Sequence, residues 1–293
     1  MVPDAEMSHP DHRKQYEIDT IWTPLINPHG RMEQEEFPEM QELIIGTRTM
    51  PREEWVRARA FAYMTSLLHF DKLLQIPFVI CHELGTAVSS GRKARPRYKE
   101  LVELFLSPEL DPGCFPRVTE ARDFFLNHAR AIQQGKDEYC HSEAWLDVHW
   151  PPDEFMFIKI VRANHIGEFY DEALELLAGF VEIDRQLVAQ ALALNLALLE
   201  LPFRSGEQVV SCDWNILDLY RGAIASRPVD VVRGACEYSI DWSASRWSSW
   251  DSWLERVVWW RNRAGQYFLK EGLQAIRTTT TSPAEPLPAG HYY

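Results

Sequence analysis

The densest set of metal-capable side chains is Cys140, His141, Glu143, Asp147 and His149, with Glu138 three residues before His141. An ExxH pair of this kind supplies half of a carboxylate-bridged di-iron site, which needs a second such pair on a facing helix. Only one occurs here, and Trp150-Pro151-Pro152 follows at once, so the segment reads as a loop or helix end carrying solvated polar residues. Glu138, His141 and His149 remain the ligand candidates if the chain is a helical carboxylate-metal enzyme. Cys81-His82-Glu83 suggests a thiol activated by an imidazole. Adjacent residues seldom bring sulfur and ring nitrogen together, and the apolar run Phe78–Ile80 before it favours a buried structural cysteine. Tyr63 and His69 lie on an apolar helical stretch and are its polar groups best able to face a ligand, should that helix line a cavity. The bland alternative for His69 is a core histidine with its hydrogen bonds satisfied. Arg48, Arg52, Arg57 and Arg59 are spread around the same helix and read as solvated or snorkelling rather than as an anion site.

Larger signatures are missing from the 293 residues: no Walker-type phosphate loop, GxSxG elbow, HExxH, CxxC or clustered cysteine triplet. The formal net charge of −13 repels a phosphate backbone. The basic run Arg92, Lys93, Arg95, Arg97 and Lys99 lacks interleaved aromatics and reads as an exposed loop, so neither nucleic acid nor membrane is expected as a partner. Five cysteines, odd in number and widely spaced, form no disulfide framework and make a reducing cytoplasm the default compartment. The most apolar stretch, Leu187–Leu201, is interrupted by Gln190, Asn195 and Glu200 and falls short of the ~20 apolar residues that span a bilayer.

The elements that must position these groups are mainly helical. Residues 1–46 form an irregular, proline-broken lead-in with one short strand at Leu43–Ile45. A helix follows, with Thr49 as N-cap and Glu53 and Glu54 at its positive end, and Val56, Ala60, Tyr63, Met64, Leu67, Phe70 and Leu74 recur at helical spacing until Pro77 kinks or ends it. Further helices are predicted at about 97–106, 117–134, 153–165, 168–182 and 184–201, with a break around Gly167, and at about 214–225. Glu207–Asp213 is the best strand candidate. Trp250, Trp253, Leu254, Val257 and Trp260 share a helical face that reads as core or partner interface. Residues 47–276 thus make an irregular, mainly α domain with one or two short strands, and the low-complexity tail 277–293 is predicted to be disordered.

The order of short motifs adds a resemblance. VPDAEMSHPDHRKQYEIDT resembles the segment that follows the radical SAM barrel in bacterial enzymes with an N-terminal cobalamin-binding domain; Pro3-Asp4-Ala5-Glu6-Met7, Arg13 and Tyr16-Glu17-Ile18 take the family's places. LIIGTRTMPREEWVRARAFAYMTSLLHFDKLLQIP looks like the helix that follows there, with Thr49-Met50, Glu54-Trp55 and His69 in family-like positions. WPPDEFMFIKI, EFYDEALELL, LELP, SCDWN and WLERVVWWRNRAGQYF continue it, so that the match spans about residues 2–276. Each motif is weak alone; their colinear order carries the resemblance.

The resemblance implies a C-terminal accessory or cap region that encloses substrate and packs on a radical SAM barrel. Partners would be the barrel and cobalamin-binding domains, upstream in the same protein or in a separate subunit. The complete enzyme would use a [4Fe–4S] cluster and S-adenosylmethionine, and the family leaves room for cobalamin. The family's CxxxCxxC motif is absent here, so this chain is expected to bind none of these cofactors alone and to be inactive by itself. Asp4, Met7, Tyr63 and His69 are the candidate substrate-facing residues. A cap without its barrel would leave an apolar face open, and the eleven tryptophans could supply it. A stand-alone helical interaction module is the main alternative.

Overall fold

The computed structural model describes residues 5–31, 39–89, 92–202, 204–243 and 247–259, together with the strands at 277–280 and 285–286. The lead-in is more ordered than its prolines predict. Helix α1 (Pro10–Tyr16) precedes strand β1 (Asp19–Pro24), which pairs antiparallel with β2 (Met40–Gly46). The single expected strand at 43–45 is therefore one arm of a ribbon. Its cross-strand glue is polar: Glu42 accepts from Thr20 Oγ1 at 2.7 Å and pairs with Arg13 of α1. Ile45 then seats the ribbon in a small core with Trp55, Val56, Ala129 and Ile132.

Helix α2 (Arg52–Thr65) starts from Pro51 without a side-chain cap, so Thr49 does not serve as its N-cap. Its end is set by a π turn at Ser66–Phe70, where the Asp71 N–H reaches the Ser66 carbonyl at 2.7 Å. Lys72 then adopts a left-handed φ of 68°. Pro77 neither kinks nor ends this helix: it lies in the first turn of α3 (Gln75–Leu84), where its missing N–H has no intrahelical partner to lose. Every residue of α3 from Gln75 to Cys81 is buried.

Around α3 pack α4 (Tyr98–Phe105), α5 (Pro116–Ile132), α6 (Pro152–Arg162), α7 (Ile166–Phe180), α8 (Arg185–Leu198) and α9 (Ile216–Ile224), sharing one hydrophobic core. The break between α6 and α7 falls at Ala163–His165, with Asn164 left-handed (φ 58°), and Gly167 lies within α7. Two small antiparallel pairs, β3 (Ala87–Ser89) with β4 (Arg92–Ala94) and β5 (Cys140–Ser142) with β6 (Val148–Trp150), edge the helices. The predicted strand at 207–213 is β7 (Glu207–Trp214), and its partner β8 (Val232–Asp241) had no sequence signal strong enough to find. Arg277–Thr280 (β9) and Glu285–Pro286 (β10) also pair with β8, so a stretch whose composition predicts disorder contributes two strands. The molecule is mainly α, and no helix among the described residues is long and apolar enough to cross a membrane.

The tryptophans bear on another expectation. Trp55, Trp145, Trp150, Trp214, Trp242 and Trp253 are buried, and Trp22 alone among those described is fully exposed, at 62%. Of the helical face predicted near the C-terminus, Trp253, Leu254 and Val257 point into the core and Trp260 lies outside the described residues. Trp247, Trp250 and Trp259 are half-buried, so most of the described tryptophans serve the core, as their number and spacing predict.

Candidate functional site

The π turn closing α2 aims Asp71 at the first turn of α6. Pro152 opens that helix, and Asp153 and Glu154 suit its positive end. Asp71 is 2% exposed, and its carboxyl lies near enough to Asp153 and Glu154 for their charges to oppose its ionisation. Asp71 Oδ2 is buried with no hydrogen-bond partner. Burial, then the charge of Glu154, pushes Asp153 up to about 7; burial, then Asp153 and Glu154, holds Asp71 well above the usual carboxylate range. Buried carboxyls near one another oppose each other's ionisation, so both hold their protons more tightly than solvated ones. Asp153 itself is half-buried.

Tyr63, His128 and Cys140 form a neighbouring cluster, with the Tyr63 and His128 ring centroids 5.9 Å apart. The Tyr63 hydroxyl is buried and unpartnered, and burial pushes it up to about 12 against the pull of Arg59. His128, on α5, directs Nε2 at the Glu138 carbonyl (3.1 Å), so Nδ1 faces Cys140 Sγ at 3.9 Å. Burial lowers the His128 pKa and raises the Cys140 thiol to about 12, with the Asp153 charge adding to the latter. Thiol and imidazole are therefore both neutral, and the group most able to move a proton near neutral pH is the carboxyl pair.

On the far side of α6, Glu154 accepts from His29 Nε2 at 2.6 Å, with both side chains 5% exposed. His29 lies edge-on to Trp150 and stacked on Trp259. Its backbone N–H reaches the His149 carbonyl at 2.6 Å, and the His149 N–H returns to Gly30 at 3.1 Å. The lead-in is thus stitched to β6, just before α6.

Among the residues singled out by sequence, Tyr63 belongs to this cluster and His69 does not. His69 Nδ1 donates to Tyr98 Oη at 2.6 Å, and Nε2 accepts from Gln75, whose carbonyl in turn accepts from Tyr220 at 2.5 Å. Both of its nitrogens are used within the fold, so it is a satisfied histidine rather than one facing a ligand. Met7 is 43% exposed on a short 3-10 turn and lines no described cavity, and Asp4 lies outside the described residues.

Glu138 is held by Arg59 and Gln41, His141 bonds Asp147 at 3.0 Å, and His149 is buried beside His141. The described residues contain no group of three or more His, Cys, Asp or Glu arranged to hold a metal. The five cysteines fall in α3, the α4–α5 loop, β5, β7 and β8, an arrangement that does not fit a [4Fe–4S] cluster. Cys81 is a core thiol, pushed up to about 12 by burial. The basic run is paired at the surface through Lys93–Glu182, Arg95–Glu83, Arg97–Glu100 and Lys99–Glu103. A groove of about 800 Å³ between α2, α4 and α5 has its charges matched in the same way, Arg57 to Glu54 and Arg130 to Glu53.

Sequence reasoning missed Asp71, His29 and His128 as site residues. It used Asp153 and Glu154 only as helix-start signals. Asp71 had one available cue, a charged residue inside the apolar run Leu67–Leu74. Against known proteins, no family model matches the chain, and no curated protein matches it.

Proposed function

We propose that this chain is the C-terminal helical accessory region of a cobalamin-type radical SAM enzyme, packing on a barrel it does not contain and helping to enclose the substrate. The colinear motifs motivate the reading, and the distribution of exposed apolar residues carries it. Among the described residues, Met7, Tyr16, Trp22, Leu25 and Met40 are exposed within the lead-in, the segment that follows the barrel in that family, whereas the other exposed large apolar residues, Met50, Phe70, Val209, Ile224 and Val229, are scattered over the rest of the chain. Trp22 and Pro24 share one face of the ribbon, with Met40 paired to Pro24. A domain seated there would bury this face and exclude water from radical chemistry nearby. In this reading the iron–sulfur cluster, S-adenosylmethionine and any cobalamin belong to the partner domains, and the Tyr63 side of the helical body is this chain's contribution to the substrate enclosure.

The test is to identify, upstream or in a neighbouring frame, a protein carrying CxxxCxxC, co-express it with this chain, and measure complex formation by size-exclusion chromatography. A one-to-one complex that is lost in the Trp22→Ser/Met40→Ser double variant, with helical content unchanged, supports the proposal. No complex with that protein, or one indifferent to the double variant, refutes it. The absence of CxxxCxxC here favours one second reading, a stand-alone interaction module using the same exposed ribbon. In that case the chain would capture a partner that binds no iron–sulfur cluster.

A further inference from the structure

The two sides of the β7–β8 ribbon are closed by different means. Strand β7 lies along α8, where the Asp213 N–H donates to Gln190 Oε1 at 2.7 Å and the Asp213 carboxylate accepts from Gln186 and Gln190. On the other side, among the described residues, β8 is covered by two short pieces. β9 pairs with Cys236–Ser239, and β10 pairs with Val232 and Arg233. One of the two residues of β10 is Pro286, which has no N–H to give to a ladder. We infer that this edge of β8 is a strand-pairing surface for a second copy of the chain, and that β9 and β10 hold it shut in cis.

The sequence of β8 is complementary to itself when two copies run antiparallel. Alternation puts Cys236, Tyr238 and Ile240 in the core and leaves Arg233, Ala235 and Glu237 on the exposed face. With Ala235 opposite itself on a two-fold axis, Arg233 of each copy lies opposite Glu237 of the other, and Gly234 lies opposite Cys236. Side chains directly opposed on one face of an antiparallel pair are within reach of each other. Opposite charges there stabilise the pairing and like charges oppose it. Both charges are available for this: among the described residues neither Arg233 nor Glu237 has an ion-pair partner, and the Arg233 guanidinium lies 5.5 Å from the Trp214 ring centre.

In this register an unbroken ladder from Val232 to Tyr238 replaces the two separate pieces, and it covers an edge that would otherwise offer unpaired N–H and C=O groups. The cis strands hold the edge in the intact monomer because tethering gives them an effective concentration on the order of millimolar. At micromolar protein, a second copy takes the edge only when β9 and β10 leave it.

The experiment opens the edge in the full chain with Thr278→Pro/Thr279→Pro. Adjacent residues of a strand turn their N–H groups to opposite sides, so one of the two prolines removes a ladder bond to β8. Mass is read by light scattering after size-exclusion chromatography at micromolar concentration. Wild type should run as a monomer, and the opened chain at twice that mass with unchanged helical content. Adding Arg233→Glu or Glu237→Arg to the opened chain should return each to monomer, because each sets like charges against each other twice across the axis. Mixing those two chains one to one should restore a dimer, since every opposed pair is again of opposite sign. An opened chain with the same mass as wild type overturns the proposal. So does a dimer indifferent to the charge substitutions, or a mixture that stays monomeric. If the opened chain does not fold, Ala235→Cys in the otherwise unaltered chain decides. In a mild thiol–disulfide buffer, transient release of the edge should trap a dimer linked through position 235, located by peptide mass, and adding Glu237→Arg should slow its formation severalfold. No link at that position, or one formed as fast with Glu237→Arg, overturns the proposal.

Discussion

Two buried polar clusters lie on either side of the turn at Lys72, and they are built on opposite principles. On one side, Asn195 of α8 is completely buried and uses its whole side chain: it donates to the Lys72 and Leu73 carbonyls and to Tyr170 Oη, and accepts from the Ile76 N–H at 3.0 Å. Tyr170 closes the set by donating to Leu73. On the other side, Asp71 Oδ2, Tyr63 Oη and His29 Nδ1 have no partner. A satisfied network specifies one arrangement of its backbone, whereas an unsatisfied one holds desolvated groups in reserve. The Asn195 cluster therefore reads as structural, and the Asp71 cluster as the place where chemistry or switching belongs.

The comparison breaks or sharpens under substitution. The largest effect should come from Asn195→Ala, which removes the partner of the buried Ile76 amide and a donor from the Lys72 and Leu73 carbonyls, and should destabilise by about 3–4 kcal/mol in urea unfolding. Tyr170→Phe should lose about 1–2 kcal/mol, because Asn195 and Leu73 each lose a partner. Tyr63→Phe should move the other way, gaining about 0.5–1 kcal/mol by removing a buried hydroxyl with no hydrogen bond. If Tyr63→Phe destabilises as much as Tyr170→Phe, the distinction between the clusters fails. At the bottom of the scale, Lys93→Ala removes an exposed pair with Glu182 and should change stability by less than about 0.5 kcal/mol.

The helices were legible because their signals are local. Pro152 with Asp153 and Glu154 marks the start of α6, and the apolar repeat through Val56, Ala60 and Met64 marks the buried face of α2. Their ends were less legible. Pro77 is a strong breaker in isolation, but the chain had already turned at Asp71–Lys72 through a π turn that leaves no composition cue. β1 and β8 were missed for a related reason: a strand is completed by a partner, and the partner of β1 begins beyond the loop after Pro24. The candidate site was half visible. Tyr63 was marked, but Asp71 and His29 gain their meaning from α6, far away in sequence.

By itself the sequence determined a mainly α chain with a proline-rich lead-in, a set of amphipathic helices and an acidic balance of −13, since periodicity, capping preference and charge are properties of short segments. Only the tertiary structure decided which carboxyls are buried together, which histidine is satisfied, and which of the described tryptophans face inward. Those outcomes depend on how completely water is removed from each group and which distant group replaces it, and no short stretch of sequence carries that information.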